Sequence, residues 1–203
     1  MLRLAVLGDS IGSGTGADHT CDTLGPRLVA HLAAADVPAE ARVLAVPGAR
    51  STDLAAQVAH SAGWRPDVAV IVIGANDLTH LVPADAAAAD LRAAVRGLRA
   101  IGAEVVLAPA PDLSAVPHVP PAARSLVWAV SQRLRQAQIR VTLAEGGRVA
   151  DGDGVTTAAF AADPSLFAGD RFHPSSAGYA VITAALAPVV RAAAHTRQAR
   201  QAG

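Results

Sequence analysis

Short runs of branched apolar residues alternate along this chain with longer stretches whose apolar residues recur at helical spacing. Leu2 to Leu7 is a brief apolar run that stops at Gly8, the pattern of a buried strand. Thr23 to Ala35 carries Leu24, Leu28, Val29 and Leu32 on one face and predicts a helix. Arg42 to Val46 predicts a second strand, ended by Pro47-Gly48. Asp53 to Ala62 predicts a short helix, with Ser51 or Thr52 as its N-cap. Asp67 to Ile73 is continuously apolar after its first residue, which suits a central strand covered on both faces. A helix over Ala84 to Ile101 and a strand over Glu104 to Ala108 follow. Prolines punctuate a loop from Pro109 to Pro121, and a long helix runs from Ala122 to about Glu145. Arg148 to Asp151 is a candidate last strand. A loop with few periodic apolar residues reaches Pro174, and Ser175 to Ala194 closes the pattern as a helix.

Strands that alternate with helices imply a mostly parallel sheet of five strands between two helical layers, an α/β fold. No repeat or linker divides the chain, so residues 1–194 are expected to form one domain. The polar stretch 195–203 is expected to be a flexible tail. In such a sheet, chemistry gathers beyond the carboxyl ends of the strands. Ser10 follows the first predicted strand, Gly48 the second and Asn76 the third, while Asp170 and His173 precede the last helix. These segments point to one edge of the sheet.

Composition narrows the field. The chain has 203 residues, 52% of them apolar, but only two Trp, one Tyr and three Phe, so Ala, Val and Leu must build the core. Acidic and basic residues balance at 17 each, so no net field favours nucleic acid. The single cysteine, Cys21, has no internal partner and is expected as a small buried hydrophobe. No secretory leader is read, and the most apolar C-terminal segment is interrupted by Pro188 and Arg191. A cytoplasmic protein without integral membrane association is the expectation.

Gly8-Asp9-Ser10-Ile11-Gly12 turns off a strand and loosens into glycine. A nucleophilic serine needs that exposure, with backbone N–H groups near the developing oxyanion. A solvated serine in a glycine-rich turn would look the same. A phosphate cradle would not: no lysine follows these glycines, their spacing departs from the dinucleotide fingerprint, and no acid follows the second strand. In Asp170-Arg171-Phe172-His173-Pro174, an acid three residues before a histidine can bond Nδ1 and leave Nε2 free to take a proton. Asn76 can donate to an oxyanion or make an Asx turn. The Gly48 N–H is a further candidate donor. Asp9 and Asp77 are candidate supporting residues. The remaining histidines show no metal-ligand spacing.

Gly8-Asp9-Ser10, Pro47-Gly48-Ala49-Arg50-Ser51, Gly74-Ala75-Asn76-Asp77 and Asp170-Arg171-Phe172-His173-Pro174, in this order over nearly the whole chain, resemble the blocks of the SGNH, or GDSL-type, hydrolase family. Ile11 stands where the family label has leucine. The resemblance implies a flavodoxin-like three-layer α/β/α sandwich and a serine hydrolase acting on carboxylic esters, with short acyl chains the default for a domain without an evident lid. It assigns the nucleophile to Ser10, the base to His173, its orienting acid to Asp170, and the oxyanion hole to Ser10, Gly48 and Asn76. It implies a small-molecule acyl ester as substrate and no metal or organic cofactor. An acyltransferase or a deacetylase acting on a sugar or lipid would share these residues. A non-enzymatic binding module on the same fold would not need all five.

Overall fold

A computed structural model describes residues 1–202. Strand β1 (Leu2–Gly8) leads through a single helical turn, α1 (Ser10–Ser13), to helix α2 (Leu24–Ala33) and strand β2 (Ala39–Val43). Helix α3 (Leu54–Ala62) precedes β3 (Val68–Val72), and α4 (Ala75–Thr79) and α5 (Ala84–Ala100) precede β4 (Glu104–Ala108). Helix α6 (Arg124–Ala144), the short β5 (Arg148–Val149), α7 (Val155–Ala162) and α8 (Ser176–Ala202) complete the chain. The sheet order is β2-β1-β3-β4-β5, and every neighbouring pair is parallel. The expected five-stranded α/β/α sandwich is therefore what the chain forms.

Parallel strands expose both faces to helices, so successive residues feed two separate cores. Leu4, Val68, Val70 and Val106 join α2 and α8 on one face. Ala5, Leu7, Ile71 and Leu107 join α3, α5 and α6 on the other. A third cluster, including Leu78, Leu113, Val116 and Leu134, supports the carboxyl edge of the sheet. The chain leaves β1 outward to β2 and then crosses back to β3 on the other side, so the crevice of the fold opens between β1 and β3. That is where Ser10 and Asn76 leave their strands.

Five expectations need correction, the first being the loop read before Pro174, which contains helix α7. The second strand lies three residues earlier than read, at Ala39–Val43. The Leu44 and Ala45 amides both reach the Val6 carbonyl, so the regular ladder ends before the apolar triplet that marked it in the sequence. The chain enters α3 through a 3-10 turn, Ser51–Asp53, in which the Asp53 carboxylate accepts from the Arg50 amide; neither Ser51 nor Thr52 is the cap. Cys21 is exposed. The expected flexible tail is helical: α8 runs on to Ala202. Its last turns are held because Arg197 donates to Asp67 (3.1 Å), Gln201 donates to Asp67 (3.0 Å) and Arg200 pairs with Glu104. Asp67 and Glu104 are buried at the amino ends of β3 and β4. Burial pushes the Asp67 carboxyl up, but the Arg3 amide and the Arg197 guanidinium outweigh it and hold it below the usual carboxylate range. By length and composition alone α8 could span a bilayer. Here Tyr179, Leu186, Val190 and Ala193 on it are fully buried against the sheet.

Candidate functional site

Asp9 ends β1 and caps the first turn of α1: its carboxylate accepts from the Ile11 amide at 3.0 Å. Its own amide donates to Val72 on β3. Burial lifts the Asp9 carboxyl to about 6, against the stabilising amides of Ile11, Gly74 and Ala75. The cap fixes Ser10 at the start of the turn, 7% exposed. Its Oγ lies 3.0 Å from Nε2 of His173, 163 positions away. Nδ1 of His173 lies 2.5 Å from Oδ2 of Asp170. The other carboxylate oxygen of Asp170 accepts from the Phe172 and His173 amides at 2.9 and 3.0 Å, which bends the turn back on itself. The hydrogen bond from His173 holds the Asp170 carboxyl down at about 2. An ionised acid on Nδ1 leaves the lone pair of Nε2 facing the serine hydroxyl, so the trio can withdraw the hydroxyl proton.

The two halves of this contact are clamped from behind. Gly16, with φ +94°, is where the Ser10 segment meets the histidine turn; a Cβ there would stand 2.9 Å from His173 Cβ and 2.5 Å from the Pro174 carbonyl oxygen. The Tyr179 hydroxyl, on the second turn of α8, donates to the Thr15 carbonyl at 2.8 Å. Phe172 meets the imidazole edge-on, with ring centroids 5.1 Å apart. The His118 ring, from the proline-rich loop, donates Nε2–H to the Asp170 carbonyl at 2.9 Å.

The two middle sequence blocks are stitched to each other and to β1. Val46 donates to the Gly8 carbonyl, and Ala49 closes the turn onto Val46. Gly48 stands between them, exposed, at φ +83°, a backbone angle that disfavours any side chain. Asn76 lies in α4 and donates one amide hydrogen to the Ala49 carbonyl at 3.0 Å, leaving its second hydrogen available. Buried Asp77 accepts the Ser51 amide and hydroxyl at 2.9 to 3.1 Å. Burial raises its pKa, and the Ser51 bonds offset only part of that. The four sequence blocks thus meet at the carboxyl edge of the sheet, with Ser10, Asp170 and His173 in direct contact and Asn76 bonded to the turn that holds Gly48.

Two residues that went unnoticed in the sequence hold this rim. Gln57, on α3, accepts from the Gly8 amide (2.7 Å) and donates to the Gly8 carbonyl (2.9 Å). Gln138, on α6, does the same between strands, accepting from Ala110 (2.7 Å) and donating to Ile73 (3.1 Å). Both are buried. The available signal was an uncharged polar residue inside an apolar stripe, as Gln138 is between Leu134, Ala137 and Val141. Ser10 and His173 open into a cleft lined by Ile11, Leu113, Val116, Phe160 and Phe167.

A curated relative, GDSL-like esterase Rv1075c of Mycobacterium tuberculosis, is 35% identical over 185 residues, which is 89% of this chain. The chain spans 59% of that relative's length. Among solved structures, TesA superposes with a TM-score of 0.77 at 21% identity, covering 94% of this chain and 99% of its own. A catalytic mutant of Axe2, an acetylxylan esterase from Geobacillus stearothermophilus, gives 0.74 at 20% identity, covering 93% and 94%. At those identities the likeness is one of fold. The sequence profile of the GDSL-like Lipase/Acylhydrolase family matches residues 6–181, and with all four blocks on one rim the chain belongs to that family.

Proposed function

We propose that the protein hydrolyses carboxylic esters through an acyl-enzyme on Ser10. The observation that carries this reading is the 3.0 Å approach of His173 Nε2 to Ser10 Oγ, backed by Asp170 on Nδ1. The Ser10 oxygen attacks the ester carbonyl carbon while His173 takes its proton. The negative charge moves to the carbonyl oxygen, which meets the N–H of Ser10, the N–H of Gly48 and the free amide hydrogen of Asn76. The tetrahedral intermediate collapses, the bond to the alkoxy oxygen breaks, and His173 returns the proton to that leaving alcohol. Water then repeats the sequence on the acyl-serine, releasing the acid and restoring Ser10. Asp9 and Asp77 support the site as acceptors for the α1 turn and for Ser51. The compartment proposed is the cytoplasm.

The test is covalent as well as kinetic. A fluorophosphonate is expected to label the protein at Ser10, read by mass spectrometry of the digested adduct. Ser10→Ala is expected to lower kcat on a p-nitrophenyl ester by about 10⁴-fold with its melting curve intact. Labelling at another residue, or full activity in Ser10→Ala, would remove the assignment.

A further inference from the structure

The cleft in front of Ser10 does not stop at the catalytic pair. Its first part, about 610 Å3 with the open mouth counted, is walled by Ile11, Leu113, Val116, Phe160, Phe167 and Ile182. A second hollow, about 440 Å3 on the same basis, shares Ile11, Pro111, Thr156 and Ile182 with the first. It lies beneath the carboxyl ends of β3 and β4, where Val72, Ala108, Ala185 and Leu186 line it, and it reaches the buried pair Arg135 and Asp151. Ile11, the residue after the nucleophile, borders both.

Most of the polar side chains on these walls are engaged elsewhere. Asp112 accepts from the Ser114 amide at 2.9 Å. The Thr156 hydroxyl is bonded to the Asp151 carboxylate, which also accepts the Thr156 amide at 3.0 Å. Arg135 donates to the carbonyls of Ala110 and Asp151. A hydroxyl-rich guest would find few partners there, whereas a hydrocarbon chain would displace water from apolar walls. The direction is set by the chemistry. The leaving oxygen must take its proton from His173, on the side where Asp170 is half in water, so the acyl group runs the other way, past Ile11. The roof is α7, none of whose residues is buried and whose first turn hangs from Asp151. This is the segment that reads as featureless loop in the sequence, and it removes the reason for expecting short acyl groups.

We infer that the two hollows form one acyl channel, and that the preferred substrates are esters of unbranched medium-chain acids, hexanoyl and longer, over acetyl esters. The inference rests on Ser10 being the nucleophile. It is tested with p-nitrophenyl acetate, butyrate, hexanoate, octanoate and decanoate on the wild type and on Ala185→Phe. Ala185 borders the inner hollow and not the catalytic one. In the wild type, kcat/KM is expected to rise about threefold per methylene from butyrate to octanoate. In Ala185→Phe the octanoate value is expected to fall about tenfold or more while acetate stays within about twofold, a chain-length split that a general structural defect would not produce. A wild-type profile that falls from acetate upward overturns the channel and leaves Ser10 standing, and this arm decides alone if the variant does not fold. Equal loss on all esters in a folded Ala185→Phe also overturns it. If no ester is cleaved and the fluorophosphonate fails to label Ser10, the nucleophile assignment falls and the channel falls with it.

Discussion

Half of the Asp170 side chain lies in water, and that sets what the residue contributes. Screening by solvent makes its attraction to the imidazole weak as a source of stability. Its value lies in orientation, because Oδ2 fixes which ring nitrogen carries the proton. In Asp170→Asn, the retained oxygen can still accept from the Phe172 and His173 amides, so the turn should persist. An amide nitrogen facing Nδ1 would favour the wrong tautomer. We expect kcat on a p-nitrophenyl ester to drop by about 10²- to 10⁴-fold, with KM and melting temperature nearly unchanged. The pH dependence has a definite sign. The folded carboxyl titrates at about 2, below its unfolded value near 4, so its contribution to stability is complete above about pH 4 and is lost as pH falls through about 2. Asp9 works the opposite way. Its folded value of about 6 means that its burial opposes folding above that pH and ceases to do so below about 4. Most of these residues were legible in the sequence, since Gly8-Asp9-Ser10 and Asp170-x-x-His173 are local patterns. His118 was not, because its partner is a backbone carbonyl 52 positions away and carries no residue-type signal.

At the level of elements, the strands with continuous apolar runs were readable and those without were not. β3 and β4 are buried throughout, and periodicity finds such runs. β2 is a mostly exposed edge strand, Ala-Glu-Ala-Arg-Val, so its apolar pattern is faint and the reading slid to the triplet after it. Helix α7 escaped for a related reason: it is a roof with no buried residue, and burial is what imprints a helical period. Gln57 shows how an element can serve the site without touching substrate. It satisfies both polar groups of the Gly8 backbone two residues before the nucleophile. Gln57→Leu would leave the buried Gly8 N–H unpaired and its carbonyl with the Val46 amide alone. We expect a loss of about 2–3 kcal/mol in denaturant titration, together with a lower kcat as the nucleophile turn loosens. A leucine variant as stable as the wild type would show that water or a backbone shift replaces both bonds.

Taken whole, the molecule is closed at both ends by α8. Its first turns bring the histidine turn and Tyr179 to the carboxyl edge of the sheet. Its last turns carry Arg197, Arg200 and Gln201 to Asp67 and Glu104 at the amino edge. Composition alone made residues 195–203 look unattached, since their ion partners lie 96 and 130 positions back in the chain. Deleting 195–203 takes one arginine from each of two buried carboxylates, leaving Asp67 to Arg3 and Glu104 to Arg99. Arg197 and Arg200 are partly exposed, which reduces the cost, but we still expect about 2–3 kcal/mol of lost stability by denaturant titration. A silent deletion would mean that Arg3 and Arg99 alone satisfy those carboxylates.

The hydrogen bond between Ser10 and His173 closes a loop of 163 positions, among the longest that the chain makes. Such a closure gains little until the intervening strands have paired, since its entropy must be met before its one bond is made. On the proposed mechanism, reactivity is therefore a late acquisition in refolding: intermediates with their helices and much of their sheet in place would still be chemically inert, and Ser10 would become reactive only when the last long-range contacts set.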